Sequence, residues 1–272
     1  GADYAVACAV PVDAPGLTLV FGRQSNDERK EEEGIDCGTP FGVVGGESTL
    51  IFEDVFVPNE RVFMAGEGEF AGTLVDRFAA WHRANYGGCK AGNADVLLGA
   101  TALLSEIHGT VGNPVVKDKL TEMVHLVETN FAGAVGSSAL AKPLPAGNWL
   151  VDPLLANTVK QNVTRFVYQV GRLAHDIAGG ILSTLPADAD FRNDEVGGLL
   201  EKYFAGKQGF STEDKRKLCR YIEGMTSVST LVEALHGAGS PQAQRIVMLR
   251  QADLPEKMRQ AKKVIGLGKE KK

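Results

Sequence analysis

Ser48-Thr-Leu-Ile-Phe-Glu-Asp-Val-Phe-Val-Pro58 is followed by Gly66-Glu-Gly-Glu69, and from Phe70 onward the sequence changes its period. The first run is rich in β-branched and aromatic residues and reads as the clearest strand of the chain, with Pro58-Asn59 as its stop. Beyond Phe70 apolar residues recur every three to four positions, the spacing of an α-helix. Gly66 to Glu69 reads as a flexible joint between the two regimes. That handover decides the fold class: mainly α, with a β-rich module ahead of a bundle of long antiparallel helices.

Working upstream, Tyr4 to Val10 and Leu17 to Phe21 read as further strands, and Pro11-Val-Asp-Ala-Pro-Gly16 as a turn. Arg23 to Glu33 reads as a charged surface loop, and Phe41 to Gly46 as glycine-punctuated strand or loop. Working downstream, the period predicts helices at roughly 70–108, 114–141, 152–179, 195–205 and 211–236. The last is opened by Ser211-Thr-Glu-Asp214, a hydroxyl cap followed by acids. The expected division is 1–68 for the β-module and 69–272 for the helices. Gly1-Ala-Asp-Tyr4 leads directly into strand-like sequence, so we expect the chain to be the later part of something longer, or one piece of a split protein.

Composition narrows the function. The 272 residues carry a formal net charge of −5 and 44% hydrophobic residues, enough for a substantial core. A mildly acidic chain without a basic stripe is not expected to bind nucleic acid. The basic run Lys269-Glu-Lys-Lys272 reads as a frayed tail. No apolar run approaches the ~20 residues that span a bilayer, and there is no signal-peptide pattern. The expectation is a soluble cytoplasmic protein. Cys8, Cys37 and Cys219 show no paired spacing and read as reduced, mostly buried thiols.

One stretch of the first long helix is not ordinary core. In Trp81-His-Arg-Ala-Asn-Tyr-Gly-Gly-Cys-Lys90, the residues His82, Tyr86, Cys89 and Lys90 fall at i, i+4, i+7 and i+8 and share a face. Imidazole, phenol, thiol and ammonium together suit a site better than a seam. Taken singly, each has a plainer reading: His82 as a satisfied polar core residue, Tyr86 and Lys90 as a snorkelling surface pair. Glu47 reads as a turn carboxylate. Glu233 lies near a helix C-terminus, where a carboxylate opposes the dipole. Gly179-Gly180 suits a helix C-cap. His108 and His125 read as structural or surface residues.

Two groups of motifs carry a resemblance. Leu50-Ile-Phe-Glu-Asp-Val-Phe-Val-Pro58 with Gly66-Glu-Gly-Glu69, and the upstream Ala9-Val-Pro-Val-Asp-Ala-Pro-Gly-Leu-Thr18, resemble the acyl-CoA dehydrogenases. There these motifs lead from a middle β-barrel domain into the C-terminal bundle. His82-x6-Cys89 with Tyr86 and Lys90, together with Glu233-Ala-Leu-His-Gly-Ala-Gly239, resemble the 4-hydroxybutyryl-CoA dehydratase/vinylacetyl-CoA isomerase family. That branch of the fold is related to the flavin-dependent 4-hydroxyphenylacetate 3-monooxygenases. The resemblance runs along essentially the whole chain, but only to the family's C-terminal half, so its N-terminal helical domain is expected to be absent here.

The resemblance implies FAD and a 4Fe–4S cluster held by three cysteines and a histidine. His82 and Cys89 match two of those ligands; the other two would lie in the absent part. It implies an acyl-CoA substrate and a homotetramer. It also implies His82 as ligand and α-base, Glu233 with Tyr86 in proton transfer or orientation, and Glu47 and Lys90 in support. Arg172-Leu-Ala-His-Asp-Ile-Ala-Gly-Gly180 resembles the stretch that reaches the FAD of a neighbouring subunit, giving Arg172, His175, Gly179 and Gly180 as cofactor contacts. The implied reaction is radical dehydration of 4-hydroxybutyryl-CoA to crotonyl-CoA, with vinylacetyl-CoA isomerisation by the same machinery. The alternatives are a flavin-dependent aromatic hydroxylase component, or a non-catalytic split-gene subunit that needs an N-terminal partner.

Overall fold

The computed structural model describes residues 2–22, 34–36 and 47–267. The expected segments at 23–33 and 41–46, Cys37 and the basic tail lie outside the described residues.

The β-portion is built from two antiparallel pairs. β1 (Val6–Cys8) pairs with β4 (Val62–Ala65), and β2 (Leu17–Phe21) pairs with β3 (Ser48–Phe52) in the register Leu17↔Phe52 to Phe21↔Ser48. The described strands close no barrel. β3 is shorter than expected, because Asp54 has a φ of 53° and a left-handed residue cannot continue a strand. β1 is likewise confined to the middle of the expected run. The joint at Gly66 is a hydrogen-bonded turn: its N–H donates to the Ala5 carbonyl, and the Glu67 carboxylate accepts from the Ala65 N–H at 2.7 Å.

Three long helices follow. α1 (Ala71–Ile107), α2 (Pro114–Ala139) and α3 (Pro153–Ala178) pack on one another, with α2 folded back on α1 across a short turn. Their starts obey the sequence. Asn113 accepts from the Val115 N–H and Asp152 from the Leu155 N–H, each with proline as first helical residue. A small hairpin of β5 (Lys142–Pro143) and β6 (Trp149–Leu150) joins α2 to α3. The core runs through Leu97, Leu104, Met123, Val163, Phe166, Val170, Ile222 and Met225. No helix of the described residues is long and apolar enough to cross a membrane.

The C-terminal third differs from the reading of the sequence. The helix expected at 211–236 is two: α7 (Thr212–Met225) and α8 (Val228–His236). The break has a local cause. Thr226 turns its hydroxyl back onto the Ile222 carbonyl at 2.7 Å, and Ser227 caps the new helix through the Thr230 N–H. Short helices α4 (Ile181–Thr184), α5 (Asp188–Phe191) and α6 (Gly197–Tyr203) precede it, and α9 (Pro241–Gln251) and α10 (Leu254–Ile265) follow. Asp36 ties the β-portion to this region by accepting from Arg220 Nε at 2.5 Å.

Of the cysteines in the described residues, Cys219 is buried, whereas Cys8 and Cys89 are exposed. Cys8 therefore departs from the expected burial. Burial pushes the Cys219 thiol up to about 11, so it stays protonated and inert.

Candidate active site

α1 is the scaffold of the site. It runs unbroken through Gly87 and Gly88, so the local unwinding that this pair could permit does not occur. Gly87 is instead where residues of both α2 and α3 come close to α1. A Cβ there would lie 2.3 Å from Val159 Cγ1 and 2.7 Å from Ala134 Cβ. Asn130 Nδ2 donates to the Gly87 carbonyl at 2.9 Å and locks the crossing.

Around this crossing, Tyr86 and Lys90 point inward and are buried, His82 is half-buried, and Cys89 is exposed. Glu233 enters from α8. Tyr86 Oη donates to Glu233 Oε1 at 2.5 Å, and Lys90 Nζ pairs with Oε2 of the same carboxylate. Both oxygens of Glu233 are thus engaged, one by a phenol and one by an ammonium. His82 stacks beside them, its ring centroid 5.3 Å from that of Tyr86 and 5.4 Å from that of Phe78. Burial first, then the hydrogen bond to Glu233 and the negative charges of Glu233, Glu47 and Cys89, hold the Tyr86 phenol well above its ordinary range. Tyr86 therefore stays a proton donor at neutral pH. Glu47 and Cys89 act on this group through charge.

Five of the residues singled out in the sequence thus converge directly or electrostatically on Tyr86: His82, Cys89, Lys90, Glu47 and Glu233. The other set does not join them. Arg172, His175, Gly179 and Gly180 are exposed at the C-terminal end of α3. His175 lies ~24 Å along the helix from the level of Val159 and Gly87, taking 16 residues at ~1.5 Å each. His175 Nε2 meets Thr226 Oγ1 at 2.7 Å, at the α7–α8 break, and Gly179 forms the C-cap with a φ of 75°.

Sequence reasoning missed a second layer behind the carboxylate. Lys160 of α3 is fully buried. Its Nζ donates to the Ala234 carbonyl at 2.8 Å and the Leu235 carbonyl at 3.3 Å, and lies 4.9 Å from the Tyr86 ring centroid. Burial lowers its pKa to about 8; Arg83 and Lys90 push the same way and Glu233 opposes them. Arg83, also buried, donates from Nε to the Ala238 carbonyl at 3.0 Å and from Nη1 to Asn157 Oδ1 at 2.7 Å. Gln244 donates to the Gly239 carbonyl at 2.9 Å. A Cβ on Gly237 would sit 1.6 Å from Tyr86 Oη, so only glycine lets the phenol reach Glu233. One signal was available: Lys160 falls between Ala156 and Val163 on the apolar stripe of α3, where a lysine breaks the pattern.

Two clefts adjoin the site. A small apolar one lies behind Lys90, lined by Asn93, Leu97, Val170, Met225 and Leu231. An open groove walled by Phe70, Leu74, Phe78 and Trp81 begins one turn before His82. Among the described residues no three His, Cys, Asp or Glu side chains gather to hold a single metal ion.

Comparison with known proteins shows the family of the chain. Residues 71–266 match the family described as 4-hydroxyphenylacetate 3-hydroxylase C terminal, and residues 1–64 match its N-terminal counterpart. The chain belongs to the 4-hydroxyphenylacetate 3-hydroxylase (HpaB) family. Within it, the chain is 45% identical to 4-hydroxybutyryl-CoA dehydratase/vinylacetyl-CoA-Δ-isomerase of Clostridium aminobutyricum, over 97% of this chain and 57% of that protein. The solved oxygen-tolerant archaeal 4-hydroxybutyryl-CoA dehydratase from N. maritimus matches with a TM-score of 0.92 at 44% identity, over 99% of this chain and 54% of that one. The chain therefore spans about half the length of these relatives. The HpaB oxygenase component of 4-hydroxyphenylacetate 3-monooxygenase, solved with FAD and 4-hydroxyphenylacetate, shares the fold at a TM-score of 0.79 and 22% identity, over 96% of this chain and 56% of that one. The likeness extends to the acyl-CoA dehydrogenase fold, with a TM-score of 0.55 and 13% identity to glutaryl-CoA dehydrogenase over 92% of this chain and 50% of that one.

Proposed function

We propose that this chain supplies the acid–base side of a 4-hydroxybutyryl-CoA dehydratase with vinylacetyl-CoA isomerase activity. The observation that carries this reading is the Tyr86–Glu233–Lys90 contact formed on the same helix face as His82 and Cys89.

The donor chemistry of that face fits an iron–sulfur cluster in part. Cys89 offers a free, exposed thiol and His82 a half-buried imidazole. They are ~10 Å apart along the helix axis, a separation that serves two corners of a cluster rather than one ion. The remaining ligands must come from further polypeptide. When bound, FAD supplies one-electron chemistry and the cluster a Lewis-acidic iron.

The chain's own residues then divide the proton work. His82 is a ligand and the base at the substrate's α-carbon. Glu233 takes up a proton from the substrate and returns one to it, while Tyr86 keeps its own proton and orients Oε1 by hydrogen bond and Lys90 balances the carboxylate. Glu47 supports the site through its charge on Tyr86. Arg172, His175, Gly179 and Gly180, exposed and far along α3, serve a FAD bound by a neighbouring subunit of a homotetramer. The substrate is an acyl-CoA.

The test is Glu233→Gln in the anaerobically prepared holoenzyme. Dehydration of 4-hydroxybutyryl-CoA should fall by about 10²–10⁴, the range of one acid–base group, with iron and flavin retained. A near-normal rate with both cofactors in place overturns the assignment. Flavin without iron in the wild-type protein would point instead to a flavin-dependent hydroxylase.

A further inference from the structure

The last turn of α8 is closed partly by its own backbone, with Gly237 N–H on the Glu233 carbonyl and Gly239 N–H on that of His236, and partly from outside. The final carbonyls of a helix have no partner within it and carry its negative dipole end. Here Lys160 of α3 takes up those of Ala234 and Leu235, and just beyond the helix Arg83 of α1 holds the Ala238 carbonyl and Gln244 of α9 that of Gly239. Arg83 is itself braced by Asn157. Lys160 is the central member. It is fully buried, it bonds two consecutive carbonyls, and it is seated over the ring of Tyr86.

Its location matters because Ala234 directly follows Glu233. A cation gripping the Ala234 carbonyl from one side and touching the phenol ring from the other controls the gap between the two proton-carrying groups. A buried lysine is also expensive to retain, since burial disfavours the charge. A core methionine or leucine would fill the same space, so packing alone does not account for an ammonium there.

We propose that Lys160 is a positioning residue of the site: clamped on the end of α8 and against Tyr86, it holds Glu233 Oε1 within hydrogen-bond reach of Tyr86 Oη. The charged and titratable groups that face it are Tyr86, Lys90 and Arg83 from α1 and Glu233 from α8. This inference rests on the reading of Glu233 as the proton-transfer group, yet it can fail separately.

The experiment compares Lys160→Met, Lys160→Gln and Glu233→Gln with wild type as anaerobic holoenzymes, by steady-state kinetics, cofactor content and crystal structures. Lys160→Met keeps the volume and removes the donor. It is expected to lower kcat by about 10–100-fold with KM changed less than about threefold, the signature of a defect outside substrate binding. Iron and flavin should stay at wild-type content. In its structure the Tyr86–Glu233 pair should open beyond the ~3.5 Å limit of a hydrogen bond. Lys160→Gln, which keeps an N–H donor, should recover part of the loss.

The proposal is overturned if the pair stays closed in Lys160→Met, if kcat stays within twofold of wild type, or if both Lys160 variants fail to form holoenzyme. That last result would make the lysine simply structural. A wild-type rate for Glu233→Gln sinks the functional reading instead, while the Lys160→Met structure still reports on the clamp.

Discussion

Tyr86 is the residue on which the site turns. Its hydroxyl meets Glu233, its ring faces two lysines and a histidine, and burial keeps its proton on. Tyr86→Phe preserves the ring and its packing but deletes the shared proton. Turnover should drop by about 10²-fold or more, with the melting temperature near wild type; an active Phe variant would leave the hydroxyl without a task. Lys160 gives a second expectation, in stability. Its pKa falls from the usual 10.5 to about 8 on burial. Between those values the unfolded chain still binds the proton that the folded protein has released, so this group adds stability as pH rises from about 8 to 10.5. At roughly 1.4 kcal/mol per pH unit the gain approaches ~3 kcal/mol; below pH 8 both states are protonated and it is absent. Urea unfolding at pH 7 and pH 10 should show this rise in wild type and its loss in Lys160→Met. Equal pH dependence in the two proteins would mean that the folded lysine keeps its proton over this range just as the unfolded one does. Of these residues, Tyr86 and Lys90 were legible from helical spacing alone. The pairing of Glu233 with them was not, since 143 positions separate it from Lys90; its place against a helix dipole and the motif around it marked the residue but not its partners.

The elements were legible where a period runs long and a cap closes it. α1, α2 and α3 start and stop within a few residues of the positions their patterns predict, because Asn113-Pro114 and Asp152-Pro153 are strong start signals. The α7–α8 break was not legible, because Thr226 and Ser227 disturb no periodicity. What divides the helix is a pair of side-chain hydrogen bonds, and His175 of α3 supports one of them from outside. That break matters to the site, since α8 must turn away from α7 to bring Glu233 to α1. The crossing at Gly87 makes a testable element-scale claim. Gly87→Ala forces its Cβ into Val159 and Ala134, and overpacking of this kind costs ~1–3 kcal/mol. Gly92→Ala, in the same helix with open space around it, should instead stabilise by ~0.5–1 kcal/mol through helix propensity alone. Denaturant unfolding of the two variants decides this; equal effects would show that the three helices do not meet as tightly as the contact distances require.

At the scale of the whole molecule, one helix carries two separate tasks. The N-terminal half of α3 packs on α1 at Gly87 and sends Lys160 behind Glu233, while its C-terminal end exposes Arg172, His175 and Gly179-Gly180. About 18 Å of helix separates Lys160 from Arg172 and ~24 Å separates Val159 from His175, so the two sets are far apart within the chain. The arrangement makes sense if each chain gives its α1 face to its own iron–sulfur cluster and its α3 end to a flavin held elsewhere in an assembly. The sequence held both halves of this picture as motifs, but the distance between them exists only after folding. Two variants separate the tasks. Cys89→Ser replaces the proposed thiolate ligand by a hydroxyl of poor affinity for iron, and should strip iron and sulfide from the anaerobic holoenzyme while most flavin remains. Arg172→Glu places a negative charge where a phosphate or ring oxygen is to be met, and should weaken flavin retention while iron remains. Metal analysis and the visible spectrum of the two proteins read the result directly. Loss of both cofactors from either variant would merge the two sites into one and end the argument for a division along α3.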